Sequence, residues 1–350
     1  MSAPAAPTTA WVFPGQGSQR IGMGYDLAQQ FPDTAGAVYA EADEILGYRL
    51  SDLCRSGPEE VLARTEFTQP AIFTTSIAIL EVLRPRLPRP VLVAGHSLGE
   101  YAALVAAGVL DWRVALCLVA ERARLMAEVN ERTPGGMAAA IGLPEHVVAR
   151  LCAEAAAAAG GTVEIANLND SGQTVVSGTD GAVDAFVAAG GALICGGTAD
   201  FGEDAKVKRL RVGAPFHSSL MAEMARQFTP ILDDARFAEP TVPVVVNVEG
   251  VAVTGAAELR AALARQLTGA VRWVATMDTI AAAGVTTVVE MGPGRVLTGF
   301  FKRDHPRIDG RSAADLRRVN GLLRLLAVDG DGPASPDTAA TPVDRLPVSP

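Results

Sequence analysis

Val91-Leu92-Val93-Ala94-Gly95-His96-Ser97-Leu98-Gly99-Glu100 decides how the rest of this chain is read. An apolar run of strand-forming residues breaks into glycine and serine, and an alanine-rich segment follows. The pattern predicts a buried strand, a sharp turn with Ser97 at its apex, and a helix from Glu100 to about Ala107. Gly95, Ser97 and Gly99 match the G-x-S-x-G spacing, in which small flanking residues let a strained turn push a serine hydroxyl out of the sheet. Unpaired N–H groups in the first turn of the helix would stabilise negative charge developing beside Ser97. Glycine-flanked serines also occupy plain strand-to-helix turns, so this segment alone leaves a nucleophile and a structural turn both open.

The surrounding chain, 350 residues of which 49% are hydrophobic, is able to bury a large core. Its length allows two domains or one large domain with an insertion. The most apolar segments, near Ala71 and Ala102, are interrupted by polar or charged residues within a helix length, so no membrane span is expected. Met1 to Pro7 has neither a basic start nor a hydrophobic segment, which argues against a signal peptide and for a cytoplasmic location. Cys54, Cys117, Cys152 and Cys195 are scattered, with no C-x-x-C pair and no histidine at metal spacing. Buried, reduced thiols are expected, with neither a disulfide framework nor a zinc site. The formal net charge of -9 speaks against a general nucleic-acid binder.

Upstream of the elbow, Ala10 to Phe13 predicts a short strand running into Pro14-Gly15-Gln16-Gly17-Ser18-Gln19. This glycine-rich loop lacks the lysine of a phosphate-binding loop and the full dinucleotide spacing. It is either a tight turn or a place where Gly15 and Gly17 let a backbone N–H approach a ligand, as an oxyanion hole requires. Helices are predicted over 34–46 and 58–64, and Gln69-Pro70 is expected to open a helix to about Leu83, with proline in the first turn. Helix, strand, turn and helix in this order indicate an α/β architecture with parallel strands.

Downstream, Asp111 is an N-cap candidate for a helix to about Asn130. Ala115, Val119, Arg122 and Met126 share one stripe of it, which places a guanidinium on an otherwise apolar face. Such a group needs an anion, either a structural Asp or Glu or a substrate carboxylate. From Pro134 the elements shorten into β (136–141), α (144–159), β (163–167), β (174–178), α (180–189) and β (206–212). That order is the ferredoxin-like βαββαβ pattern, inserted in the larger domain. Its basic run, Lys206, Lys208, Arg209 and Arg211, reads as a solvated strand edge or a docking patch. Strands are then expected over 242–247 and 285–291, a helix over 256–267 between them, and a final helix near Val296 after Gly292-Pro293-Gly294. Residues 1–10 and 329–350 are expected to be disordered.

Four histidines could serve Ser97. His96 adjoins the serine and should point to the opposite side of the turn; His146 sits beside Glu145 in a helix, and His305 lies in a charged stretch. His217, in the loop Gly213-Ala214-Pro215-Phe216-His217-Ser218, is the best remaining base. A helix-capping role for it stays open on the pattern alone.

Taken in order, these motifs resemble the malonyl-CoA:acyl carrier protein transacylases, the FabD-like acyltransferases of fatty acid and polyketide synthesis. The resemblance covers about residues 11 to 303. It rests on residues 13–19, Thr68-Gln69-Pro70-Ala71, the elbow, Arg122, Ala214 to Ser218, Pro243 to Asn247, Arg265-Gln266-Leu267 and Glu290 to Gly294. It implies an α/β-hydrolase-like core over 11–133 and 213–328 around a small subdomain at 134–212. It also implies a Ser97 nucleophile, a His217 base, and an oxyanion hole from the backbone N–H groups of Gln16 and Leu98. The Gln266 carbonyl would orient the imidazole, Arg122 would grip the malonyl carboxylate, and Gln69 would line the pocket. Leu98 and Phe216 resemble malonyl-selective members, since the Phe216 ring would crowd an α-methyl group. The expected partners are malonyl-CoA and an acyl carrier protein, with no cofactor, no metal, no nucleic acid, no membrane and a monomeric chain. An acyl hydrolase of the same fold, a transferase for a substituted malonyl unit and a non-catalytic docking subunit are the alternatives. The stretch 195–205 departs from the family pattern, where many relatives have a shorter connection.

Overall fold

A strand buried on both faces must be apolar at every position, because successive side chains point to opposite sides. The computed structural model, which describes residues 8–132, 134–196, 201–210, 212 and 214–326, shows this over 10–13 and 92–95 in the middle of its main sheet. The strands among the described residues are β1 (Thr9–Phe13), β2 (Leu92–Gly95), β3 (Gly135–Ile141), β4 (Val163–Asp170), β5 (Gln173–Thr179), β6 (Lys206–Arg209), β7 (Val244–Val245), β8 (Ala252–Val253), β9 (Val271–Arg272), β10 (Thr287–Glu290) and β11 (Asp309–Ser312). The main sheet runs β11-β10-β1-β2-β7-β8 and is parallel except for the β7–β8 pair. Trp11, Phe13, Val93, Val244 and Val289 enter the core on one face. Ala10, Val12, Leu92, Ala94, Val245 and Val288 enter a second core on the other.

The second sheet runs β6-β3-β5-β4-β9. Its β3, β4, β5 and β6 pair antiparallel, and helices 145–159 and 180–195 cover one face around Leu151, Val176 and Phe186. The opposite face, with Met137, Ala139 and Val175, packs into the main core. The fifth strand, β9, has no counterpart in the expected pattern. It comes from the chain after 213 and pairs parallel with β4 through Asn167–Val271 and Leu168–Arg272. Two residues carry no periodicity, so only the tertiary packing reveals them.

Several boundaries differ from expectation. The helix expected to open at Gln69-Pro70 spans Thr65–Leu83, with Pro70 inside it. Pro70 is the sixth residue of the helix and cannot donate to the Glu66 carbonyl four residues back, so that one bond is given up, while the Thr68 hydroxyl ties this end to the Leu62 carbonyl. The helix at Val296–Asp304 is not the last: β11 and a helix at Leu316–Leu326 follow. The strand expected over 242–247 is two residues long, and that over 206–212 ends at Arg209, Arg211 lying outside the described residues. Thr9 and Ala10 belong to β1 instead of a disordered start; residues 1–7 and 329–350 lie outside the described residues, as do 197–200 within the divergent stretch. Cys54 and Cys152 are buried as expected, whereas Cys117 is half-buried and Cys195, the last residue of its helix, is exposed. Among the described residues no helix is long and apolar enough to cross a membrane.

Candidate active site

In a parallel sheet every loop leaving a carboxyl end emerges on the same side. Three such loops meet here. One follows β1 and carries Gln16, one follows β2 and carries Ser97, and one follows β7 and carries Asn247. Contact between them is close enough to require glycine. A Cβ on Gly99 would overlap the Phe13 carbonyl, one on Gly95 would overlap the Gly99 carbonyl, and one on Gly15 would lie 2.6 Å from the His96 carbonyl oxygen. The small residues of the motif therefore let the β1 loop rest on the elbow backbone. His96 N donates to the Phe13 carbonyl at 2.9 Å and completes that seam.

Ser97 is held in the left-handed region at φ 51, and His217 at φ 58. Each costs of order 1 kcal/mol and persists only where surrounding bonds over-determine it. For Ser97 those bonds come from Asn247, whose Oδ1 accepts from Ser97 N at 2.6 Å and whose Nδ2 donates to the Gly95 carbonyl at 2.6 Å. The Gln266 side chain donates to the Ser97 carbonyl at 2.9 Å.

The Ser97 Oγ lies 2.7 Å from His217 Nε2, and His217 Nδ1 lies 2.9 Å from the Gln266 carbonyl oxygen. A carbonyl only accepts, so Nδ1 carries the proton and Nε2 is left to accept from the serine hydroxyl. His217 is buried. Burial pulls its pKa down to about 3, with the nearby Arg122 charge adding to the shift and the Gln266 carbonyl opposing it. The other histidines do not reach the serine: His96 Nε2 bonds Asn169 Oδ1 at 2.8 Å, His305 Nε2 bonds Asp278 Oδ1 at 3.0 Å, and His146 is exposed on its helix.

Arg122, on the helix Trp112–Arg132, is 1% exposed. Its Nη2 donates to Ser97 Oγ at 3.2 Å and to Gln266 Oε1 at 3.3 Å, and its Nη1 donates to Gln69 Oε1. The guanidinium lies over the Tyr101 ring at 5.8 Å. Among the described residues no carboxylate comes within ion-pair distance of it, and its Nε has no partner. The structural salt bridge left open by the sequence is therefore not made there. Burial lowers its pKa, but a guanidinium stays charged. Gln69, also buried, gives its amide to Met126 Sδ at 3.3 Å. Phe216 is buried next to His217, and the Gln16 side chain bonds Thr65 Oγ1 at 3.3 Å.

Two further residues converge on the site, Asn247 and Glu100, to which the sequence assigns no role of their own. Asn247 ends an apolar run, and a buried asparagine there is a signal that polar partners converge on it. Glu100 closes the elbow motif. Its Oε2 accepts from Gln266 Nε2 at 2.8 Å and Asn247 N at 3.2 Å, and burial pushes its pKa up to about 7 against those hydrogen bonds.

An elbow serine paired with a histidine over the carboxyl ends of a parallel sheet defines a protein built for nucleophilic acyl chemistry. Comparison with known proteins makes this specific. The chain matches the family model described as acyl transferase domain over residues 10–316. It is 42% identical over 318 residues to a malonyl CoA-acyl carrier protein transacylase of Escherichia coli strain K12, covering 91% of this chain and 98% of that protein. The FabD structure from Xanthomonas oryzae pv. oryzae is similar at 39% identity and TM-score 0.84, over 92% of this chain and 99% of that one. A malonyl-transacylase solved in complex with its type II PKS acyl-carrier protein, AntF, is similar at 39% identity and TM-score 0.81, over 91% and 99%. The protein belongs to the acyl transferase domain family, as its motifs had indicated.

Proposed function

We propose that this protein transfers a malonyl group from malonyl-CoA to the phosphopantetheine thiol of an acyl carrier protein, in fatty acid or polyketide synthesis. The observation that carries the reading is the Ser97–His217 pair beside a buried guanidinium that makes no ion pair among the described residues, the Glu100 carboxyl acting on it only from beyond contact distance. A cation left so in a water-poor site attracts an anionic substrate group, and a malonyl carboxylate fits its two-pronged donor geometry.

In the first half-reaction Ser97 Oγ attacks the thioester carbonyl while its proton passes to His217 Nε2. The tetrahedral oxyanion is held by the Leu98 and Gln16 backbone N–H groups, presented by the two loops that Gly15 and Gly99 bring together. The C–S bond breaks, the CoA sulfur takes the proton from His217, and a malonyl-serine ester remains. In the second half-reaction the carrier's thiol gives its proton to His217 and attacks the ester carbonyl. The Ser97 oxygen leaves and is reprotonated. Burial and Arg122 both keep the imidazole neutral, so it is ready as a base at neutral pH. A bound malonyl carboxylate would offset the Arg122 charge and raise the imidazole's basicity when it is needed. The buried Gln69 and Phe216 would shape the acyl pocket, with Phe216 disfavouring an α-methyl branch.

The parallel main sheet and its elbow support an α/β-hydrolase-like core over 11–133 and 213–328. The four antiparallel strands in the order β6-β3-β5-β4 support a ferredoxin-like subdomain over 134–212, with β9 added from the core. The reading carries with it a cytoplasmic monomer without a bound cofactor, since CoA and the carrier each bring their own thiol. Intact mass after incubation with malonyl-CoA tests it. A malonyl adduct is expected on wild type and not on Ser97→Ala, and it should discharge on adding a phosphopantetheinylated carrier. Release of free malonate faster than transfer would point to a hydrolase instead.

A further inference from the structure

Glu100 is a titratable side chain at this site that neither half-reaction uses. It is fully buried. Its Oε2 takes both available donors, the Gln266 amide and the Asn247 backbone N–H, while Oε1 is buried with no partner among the described residues. Those two donors belong to the residues that build the reacting pair. Asn247 Oδ1 holds Ser97 N, the Gln266 amide holds the Ser97 carbonyl, and the Gln266 backbone carbonyl holds His217. We propose that Glu100 is a positioning residue for acyl transfer: by fixing Gln266 and Asn247 together, it keeps Ser97 and His217 in contact despite their strained backbone conformations. The proposal rests on the acyl-transfer reading above.

The geometry explains why a carboxyl suits the place better than an apolar residue. One oxygen accepts two hydrogen bonds from different segments of chain, a join that a shorter or apolar side chain leaves open. When the group is protonated, its proton sits on Oε1, which has no donor facing it, so the two bonds to Oε2 survive in either state. Ionisation adds a charge without breaking the join. The charged and titratable groups around Glu100 are Arg122 on the helix 112–132, which favours ionisation, Glu249 after β7, which opposes it, and Tyr101 next along its own helix; His217 lies beyond Gln266. Burial is the largest influence and brings the group to titrate near neutrality. Because the join holds in both states, an inflexion in activity there would come from the charge added beside the reacting pair, and it would be separate from His217, which stays neutral well into acid.

Two rates across about pH 5.5 to 8.5 test this: malonylation of Ser97 by malonyl-CoA, and labelling of Ser97 by a fluorophosphonate, which needs the serine and histidine but not a malonyl carboxylate. Glu100→Ala should slow both rates about 10- to 100-fold, as misplacement of a reacting pair does, with the malonyl-CoA KM changed less than about threefold. Glu100→Gln keeps an acceptor oxygen and should return both rates to within about threefold of wild type, without the inflexion near neutral pH. Labelling of the Ala variant at the wild-type rate, a Gln variant no faster than Ala, or an inflexion that persists in the Gln variant would each overturn the proposal. Should the Ala variant fail to fold by circular dichroism, the Gln profile decides alone. A wild-type protein that is labelled by the fluorophosphonate but not malonylated refutes the transferase reading, and the labelling rates still judge Glu100.

Discussion

Replacing Arg122 by alanine separates substrate recognition from chemistry. The guanidinium is buried, forms no ion pair among the described residues, and directs Nη2 at Ser97 Oγ over 3.2 Å. A malonyl carboxylate drawn into the site of Arg122→Ala would be desolvated without a partner, which costs about 3–5 kcal/mol and corresponds to about a 150- to 5,000-fold loss in kcat/KM for malonyl-CoA. Acetyl-CoA has no carboxylate. Its acylation rate should suffer only from the lost bonds to Ser97, Gln266 and Gln69, at about tenfold or less. Initial rates of serine acylation with both donors give the ratio directly. Arg122→Lys should fall between, because an ammonium keeps the charge but not the paired donors. Equal losses on the two donors, or a malonyl loss below about fivefold, would refute the clamp and leave Arg122 a structural cation.

Gly99→Ala should lose the folded elbow, since its Cβ would overlap the Phe13 carbonyl; a destabilisation of about 1–3 kcal/mol or more is expected, read as a lowered melting temperature. Wild-type stability there would show that the loops part easily. Phe216→Ala should raise the methylmalonyl to malonyl rate ratio about tenfold, measured by competition between the two CoA esters; an unchanged ratio removes Phe216 from selectivity. His217 has a folded pKa of about 3 against an ordinary 6.5, so the unfolded chain binds more protons between those values. Its contribution to stability is therefore complete above pH 6.5 and is lost as pH falls from there towards 3. Denaturant titrations should show wild type losing more stability than His217→Gln across that window, and parallel curves would contradict the buried neutral imidazole.

What could be read from the residues alone was local or periodic. The elbow is legible because a strained turn, the close approach of a second loop and an emergent hydroxyl all demand small residues at fixed spacing around Ser97. Arg122 announced itself as a cation on an apolar helical stripe, and His217 by elimination among four histidines. Elements without a period were not legible: the two-residue strand β9, the strand β11 and the helix start at Thr65, whose proline misdirected the boundary. Nor could the chain order show which polar groups would meet. Ser97 and His217 lie 120 positions apart and Ser97 and Gln266 lie 169 apart, yet the sheet brings them into hydrogen-bond contact. Whether Arg122 met a protein carboxylate or was left for a ligand depended on which side chains packed around it. The sequence determined a serine at the tip of a turn. The tertiary structure decided its partners, because hydrogen bonds between loops at strand ends depend on the order of strands in the sheet, and that order is set by packing the whole core.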